Sequence, residues 1–179
     1  MNELSTENND NIPNPVSIYT DGACSPNPGA GGYGVILVSG GKSIEMSGGF
    51  RKTTNKRMEL YSVIAGLNSL KQDGAAVTIY SDSKYVVDSF TGGFAKQWKM
   101  NGWQRGRQPA RNPDLWGQLL NLCDRHEVSF IWVKGHAEHK ENMRCDELAV
   151  TARQAKDLPT DEGYEKQSVP AQLSLFDVL

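Results

Sequence analysis

The chain alternates apolar and polar positions before it groups apolar ones at helical spacing, and the change of period sketches the architecture. "VSIYTD" at 16–21 alternates and reads as a strand. "YGVILVS" at 33–39 and "KSIEMSGGF" at 42–50 read as two more, joined through Gly40 and Gly41, a strong hairpin signal. Met58, Leu60, Tyr61, Ile64, Leu67 and Leu70 then recur at near-helical intervals and predict a helix over 55–71. "AVTIYSD" at 76–82 is a fourth strand, and "SKYVVDSF" at 83–90 a short helix capped by Ser83. "NPDLWGQLLNLCDRH" at 112–126 is a capped helix with Pro113 in its first turn, "EVSFIWV" at 127–133 a fifth strand, and 142–155 a final helix. The order βββαβααβα predicts an α/β fold, a five-stranded mixed sheet with an antiparallel hairpin edge, flanked by helices.

One stretch resists that picture at first. "GAGGYG" at 29–34 spells the G-x-G-x-x-G of a dinucleotide loop, yet it runs into the β-rich "VILVS" and not into a helix whose N-terminus could meet a pyrophosphate. The chain's one G-K-[ST], Gly41-Lys42-Ser43, has Ile36 where a P-loop needs its first glycine, so a P-loop is excluded as well. The glycines read as a tight turn between antiparallel strands, with room for another backbone to approach closely.

Charge divides the chain more sharply than its net of -2 implies. Residues 1–12 hold three acids and no base, and 157–179 five acids and one base, leaving 13–156 with 18 Lys or Arg against 13 Asp or Glu. These shifts mark a disordered N-terminal tail, a domain over 13–156 and a flexible acidic tail beyond it. A basic body suits a polyanionic partner. Within it, 84–111 carries six bases and one acid interleaved with Phe94, Trp98 and Trp103, either a solvated face over core aromatics or a nucleic-acid groove. Three cysteines with no C-x-x-C pair argue against a disulfide framework and a four-thiolate zinc site. With neither an apolar run of spanning length nor a signal-peptide pattern, a soluble cytoplasmic protein is expected.

Two segments echo each other: "SIYTDG" reaches Asp21 and "TIYSDS" reaches Asp82. If their strands lie parallel, with the 55–71 helix in the crossover, both carboxylates emerge at the C-terminal edge where α/β proteins place ligands. Either a divalent cation relieves the pair, or each Asp caps the next turn. Glu59 stands among apolar positions and needs a partner, and Asp146 and Glu147 lie beside apolar neighbours of the last helix. An all-oxygen set favours Mg²⁺ or Mn²⁺. His136, His139 and Cys145 lack a fourth ligand at zinc spacing.

Taken together, "YTDGACSPNPGAGGYG", "TTNKRMEL", "YSDSKYV", "NPDLW" and "WVKGHAEHKENMRCDELA" resemble bacterial ribonuclease HI, in order and over 16–164. The resemblance implies the RNase H-like fold, with Asp21, Glu59, Asp82 and Asp146 holding two Mg²⁺ ions, Mn²⁺ being able to substitute. It makes His136 a mobile histidine for proton movement or product release. It further implies an endonuclease that hydrolyses the RNA strand of RNA/DNA hybrids without sequence preference, leaves 5′-phosphate and 3′-hydroxyl ends, and removes primers and R-loops. Gly22, Cys24, Asn27 and Asn55 would face the hybrid's minor groove, Thr54 and Asn112 a phosphate of the DNA strand, and Phe94, Trp98 and Trp103 the handle region. The chain departs from the family where Lys99 is followed by Met100 and Asn101, with basic charge moved to Arg105, Arg107 and Arg111, and where Lys56 and Lys84 replace common amides.

Beyond 164 an apolar island ends the acidic tail. Gln172, Leu173, Leu175 and Phe176, within "QLSLF", are similar to the peptide by which bacterial DNA-processing proteins bind the replication sliding clamp. A monomer tethered to that clamp is the expected arrangement, and a hybrid-binding adaptor that no longer cuts is the alternative.

Overall fold

The computed structural model describes residues 14–135 and 139–168 of the chain. The expected 1–12 tail, His136 and the "QLSLF" peptide lie outside them. Strands β1 (Val16–Cys24), β2 (Gly29–Ser39) and β3 (Lys42–Thr53) form an antiparallel meander, followed by α1 (Asn55–Asn68) and β4 (Ala76–Ser81). Helices α2 (Lys84–Thr91) and α3 (Phe94–Met100), a two-residue hairpin of β5 (Gln104–Arg105) and β6 (Gln108–Pro109), and α4 (Pro113–Cys123) lead to β7 (Glu127–Trp132), α5 (Lys140–Ala152) and α6 (Glu162–Ser168). The five-stranded sheet has the order β3-β2-β1-β4-β7, with β4 parallel to both β1 and β7. This is the expected mixed α/β sheet flanked by helices.

The β2–β3 turn uses Gly40 and Gly41 at φ 55 and 73, the paired positive values that a tight hairpin of right-twisted strands requires. Helix α1 lies on β1 and β2 and against α4, burying Leu60, Val63, Ile64 and Leu67 with Ile18, Ile79, Trp116 and Leu119. Helix α5 packs across β1, β2 and β3.

The glycines of "GAGGYG" lie in β2 itself and not in the turn, which is residues 25–28. With strand periodicity of two, a Cβ on Gly31 would collide with Thr53 and Met58, whereas Cβ atoms on Gly32 and Gly34 would collide with the main-chain carbonyls of Ala149 and Cys145 in α5. On one face the approaching group is the backbone of α5; on the other it is the side chains of Thr53 in β3 and Met58 in α1.

Helix α3 and the β5–β6 hairpin were not predicted; the mixed basic and aromatic run obscures their period. Helix α4 has Pro113 at its first position as expected, but Asn112 precedes it in the left-handed region and makes no side-chain cap bond. Residues beyond the domain boundary expected at 156 nevertheless make contacts with the body. Asp161 is buried, accepts from Arg57 Nε at 2.7 Å and from Thr53 Oγ1 at 2.6 Å, and Gln167 Nε2 donates to Asp114 at 3.0 Å. An acidic segment can be core when one buried arginine stands to receive it.

Candidate active site

Parallel pairing of β1 with β4 sets Thr20 opposite Ser81, so Asp21 and Asp82, each one residue further on, leave the same edge of the sheet. Helix α1 carries Glu59 to them because Gly22 has no side chain: a Cβ there would collide with the backbone of Met58 and Glu59. The glycines under α5 likewise let Asp146 approach. The result is an open pocket of about 340 Å³ lined by Asp21, Glu59, Asp82 and Asp146, with Asn55 and the Gly22–Ser25 backbone at its rim.

The carboxylates are poorly compensated by the protein. Burial, then repulsion from Asp82, Asp146 and Glu59, pushes Asp21 up to about 8 against the opposing hydrogen bond from Gly22 N–H at 2.7 Å. Glu59 is raised mainly by burial and by Asp82, offset by Ser83 and Lys56. Ser83 caps α2, accepting from Val86 N–H, and donates to Glu59 Oε2 at 2.6 Å, so one hydroxyl fixes a helix start and aims a site carboxylate.

A divalent cation fits this donor set: all ligands are oxygen, and their mutual repulsion is what a cation relieves. Among the described residues no three Asp, Glu, His or Cys side chains close on one point as a finished cage. That openness suits Mg²⁺, which keeps waters and shares substrate phosphates, more than a structural site. Zinc chemistry does not fit Cys145, which is buried, donates to the Tyr19 carbonyl at 3.3 Å and is pushed up to about 12 by burial. Glu147 points elsewhere, paired with Arg144 at 2.9 Å. The main chain passes close to Asp82 just before His136, since a Cβ on Gly135 would stand 2.6 Å from Asp82 Oδ2.

The expected substrate residues divide. Thr54, Asn55, Asn112 and Asn27 line one groove of about 1010 Å³, and Glu59 and Asn55 belong both to it and to the carboxylate pocket, so the two are continuous. Asn27 Oδ1 accepts from Asn55 N–H at 3.1 Å, and Thr54 caps α1. Cys24 is buried with its thiol on the carbonyls of Pro26, Gly29 and Thr53, so it offers main chain outward.

A second groove of about 680 Å³ contains Phe94, half exposed, and Trp98. Trp98 is mostly core, set edge-on to Trp116 at 6.0 Å, and the Trp103 ring lies against Gly117 of α4. Of the three handle aromatics only Phe94 presents a broad open face. Two lysines missed as a pair flank this region: Lys56 lies over Tyr85 at 4.8 Å and Lys84 over Trp132 at 5.0 Å.

With this geometry established, residues 13–154 match the RNase H family model. The chain is 56% identical over 158 residues to a ribonuclease H of Rippkaea orientalis, covering 88% of this chain and 96% of that protein. It is 53% identical over 156 residues to a ribonuclease HI of a Synechocystis species, covering 86% and 97%. Among solved structures it is similar to LC9-RNase H1, described as a type 1 RNase H with the type 2 active-site motif, at a TM-score of 0.71 and 31% identity over 92% of this chain and 85% of that one.

Proposed function

The chain belongs to the RNase H family and is a ribonuclease H, and from that premise we propose that it cuts the RNA strand of RNA/DNA hybrids at the pocket formed by Asp21, Glu59, Asp82 and Asp146. The observation that carries this reading is the convergence of four carboxylates whose repulsion and burial raise Asp21 to about 8. These four residues would hold two Mg²⁺ ions. When bound, such ions supply an activated water on one side of the phosphodiester and stabilise the leaving 3′-oxygen on the other.

The protein's part is placement. Gly22 N–H keeps Asp21 in one orientation, and Ser83 does the same for Glu59. Main-chain groups of 22–25, at the rim of the pocket, are placed to meet the 2′-hydroxyls that distinguish RNA from DNA. The groove holding Thr54, Asn55 and Asn112 receives the DNA strand, with a phosphate at its polar side chains, and Phe94 offers a surface beside the other groove. His136, adjoining Gly135, moves a proton or assists product release. No contact in this scheme reads a base edge, so cleavage is independent of sequence and leaves 5′-phosphate and 3′-hydroxyl ends.

Asp21→Asn tests the site directly. The variant removes one anionic ligand at nearly constant volume, so hybrid binding persists while cleavage falls by about a hundred- to a thousandfold, the scale of lost charge stabilisation in such sites. Retained cleavage refutes the assignment.

The terminal "QLSLF" peptide is proposed to dock on the replication sliding clamp through Leu173, Leu175 and Phe176, raising the local concentration of enzyme at replicated DNA. Deleting 172–179 then abolishes clamp binding in a pull-down and leaves hydrolysis of free hybrid intact. Undiminished clamp binding contradicts it.

A further inference from the structure

Arg153, at the C-terminal end of α5, has no part in the scheme so far. It lines the same pocket as the four carboxylates and is the only cationic side chain among the residues that line it. Among the described residues it nevertheless makes no ion pair with any of them. Its Nη1 donates one long hydrogen bond, 3.3 Å, to the Ser25 carbonyl, and its Nε is buried without an acceptor. The side chain is half-buried, so it is held in place without being spent.

An arginine is a costly choice for a strut to one carbonyl. It leaves a buried N–H unsatisfied, whereas glutamine or lysine reaches the same oxygen with fewer donors to satisfy. A planar fork of donors next to four carboxylates, and not neutralised by them, matches an oxyanion brought in from outside. The carboxylates act on the RNA strand, so the anion nearest Arg153 is a phosphate of that strand. The turn it grips, at Ser25, leads to Asn27, which holds the start of α1; the phosphate, the turn and the helix bearing Glu59 are therefore mechanically linked.

We propose that Arg153 is a substrate-binding residue that holds a backbone phosphate of the RNA strand adjacent to the phosphate that is cut. This rests on the reading of the carboxylate pocket as the cleavage site. The contact is a charge-assisted hydrogen bond from the terminal guanidinium nitrogens at one position of the strand, and it adds affinity without reading sequence.

The test couples the side chain to a single phosphate. Hybrids carry a short ribonucleotide stretch that fixes the cut, with one neutral methylphosphonate placed in turn at each flanking linkage. Cleavage and, in EDTA, equilibrium binding are measured for the wild type, Arg153→Gln and Arg153→Lys. On the unmodified hybrid Arg153→Gln loses about ten- to a hundredfold in kcat/KM, and its log–log salt slope falls by about one. At one linkage the methylphosphonate costs the wild type the same factor and costs Arg153→Gln nothing more. Arg153→Lys keeps the salt slope and recovers part of the loss.

A purely structural strut gives a different pattern, because glutamine and lysine both donate to the Ser25 carbonyl. Equal rescue by the two, or methylphosphonate costs identical in wild type and Arg153→Gln at every linkage, overturns the proposal. If the wild type binds but does not cut the unmodified hybrid, the cleavage reading fails, and the binding arm still decides whether Arg153 meets a phosphate. Thermal unfolding of each variant identifies any loss that is only misfolding.

Discussion

Asp21 couples the charge of the site to the stability of the fold. A carboxyl raised to about 8 by burial and by three neighbouring acids holds its proton more tightly in the folded chain than in the unfolded one. The stability this contributes is complete below the unfolded value near 3.8 and is lost as pH rises through about 8. In EDTA the melting temperature therefore falls by several degrees, about the effect of one or two kcal/mol, between pH 6 and pH 9. Mg²⁺ restores it at the upper pH, and Asp21→Asn flattens the dependence. A wild type and variant that lose stability in parallel contradict this picture of the pocket. Much of it was legible in the sequence, because "YTD" and "YSD" repeat the same strand ending and Glu59 breaks an apolar helix face. Two of its contacts were not. The Ser83 cap was expected, but its bond to Glu59 joins residues on different helices, and Arg153 had no motif to mark it. Trp98 and Phe94 look alike as handle aromatics in one dimension, and only packing against Trp116 separates core from groove.

Elements show where pattern reading succeeds and stops. Period-two and near-helical runs located every strand of the main sheet, and the parallel pairing of β1 with β4, a condition in the sequence reading, is what the sheet adopts. The glycines were placed in a turn because a turn is the usual reason for several of them. Their reason here is the close packing of α1 and α5 on the two faces of β2, which no local spacing announces. Residues 157–168 read as tail because the composition there turns acidic and Pro-bearing. Their attachment is a buried cluster in which Arg57, raised by Asp114 and Asp161 in spite of burial, also holds Asp114 below its ordinary value, the hydrogen bond and charge of the arginine overcoming burial. One bond spans 104 positions, Arg57 to Asp161 at 2.7 Å. Asp161→Ala leaves Arg57 short of a partner in the interior and should cost about 3–5 kcal/mol in denaturant unfolding. A change below about 1 kcal/mol, the usual worth of a surface pair, would place this segment outside the cooperative unit.

Between acidic ends the molecule has a basic body, 13–156, whose sheet edge gathers acids: strands β1 and β4 set the spacing of two carboxylates, and helices on both faces bring in the other two. The groove continuous with that acidic pocket carries Lys56, and the second groove carries Lys84 and the exposed ring of Phe94, the features proposed to receive a polyanion. Cleavage of end-labelled strands in RNA·DNA, RNA·RNA, DNA·DNA and a DNA duplex with one embedded ribonucleotide, each in Mg²⁺ and in EDTA, tests this design most directly. The account predicts cutting of the RNA strand of the RNA·DNA hybrid, not of RNA·RNA or DNA·DNA, and only with Mg²⁺. Cutting that persists in EDTA, or RNA·RNA cut as readily as the hybrid, would contradict it.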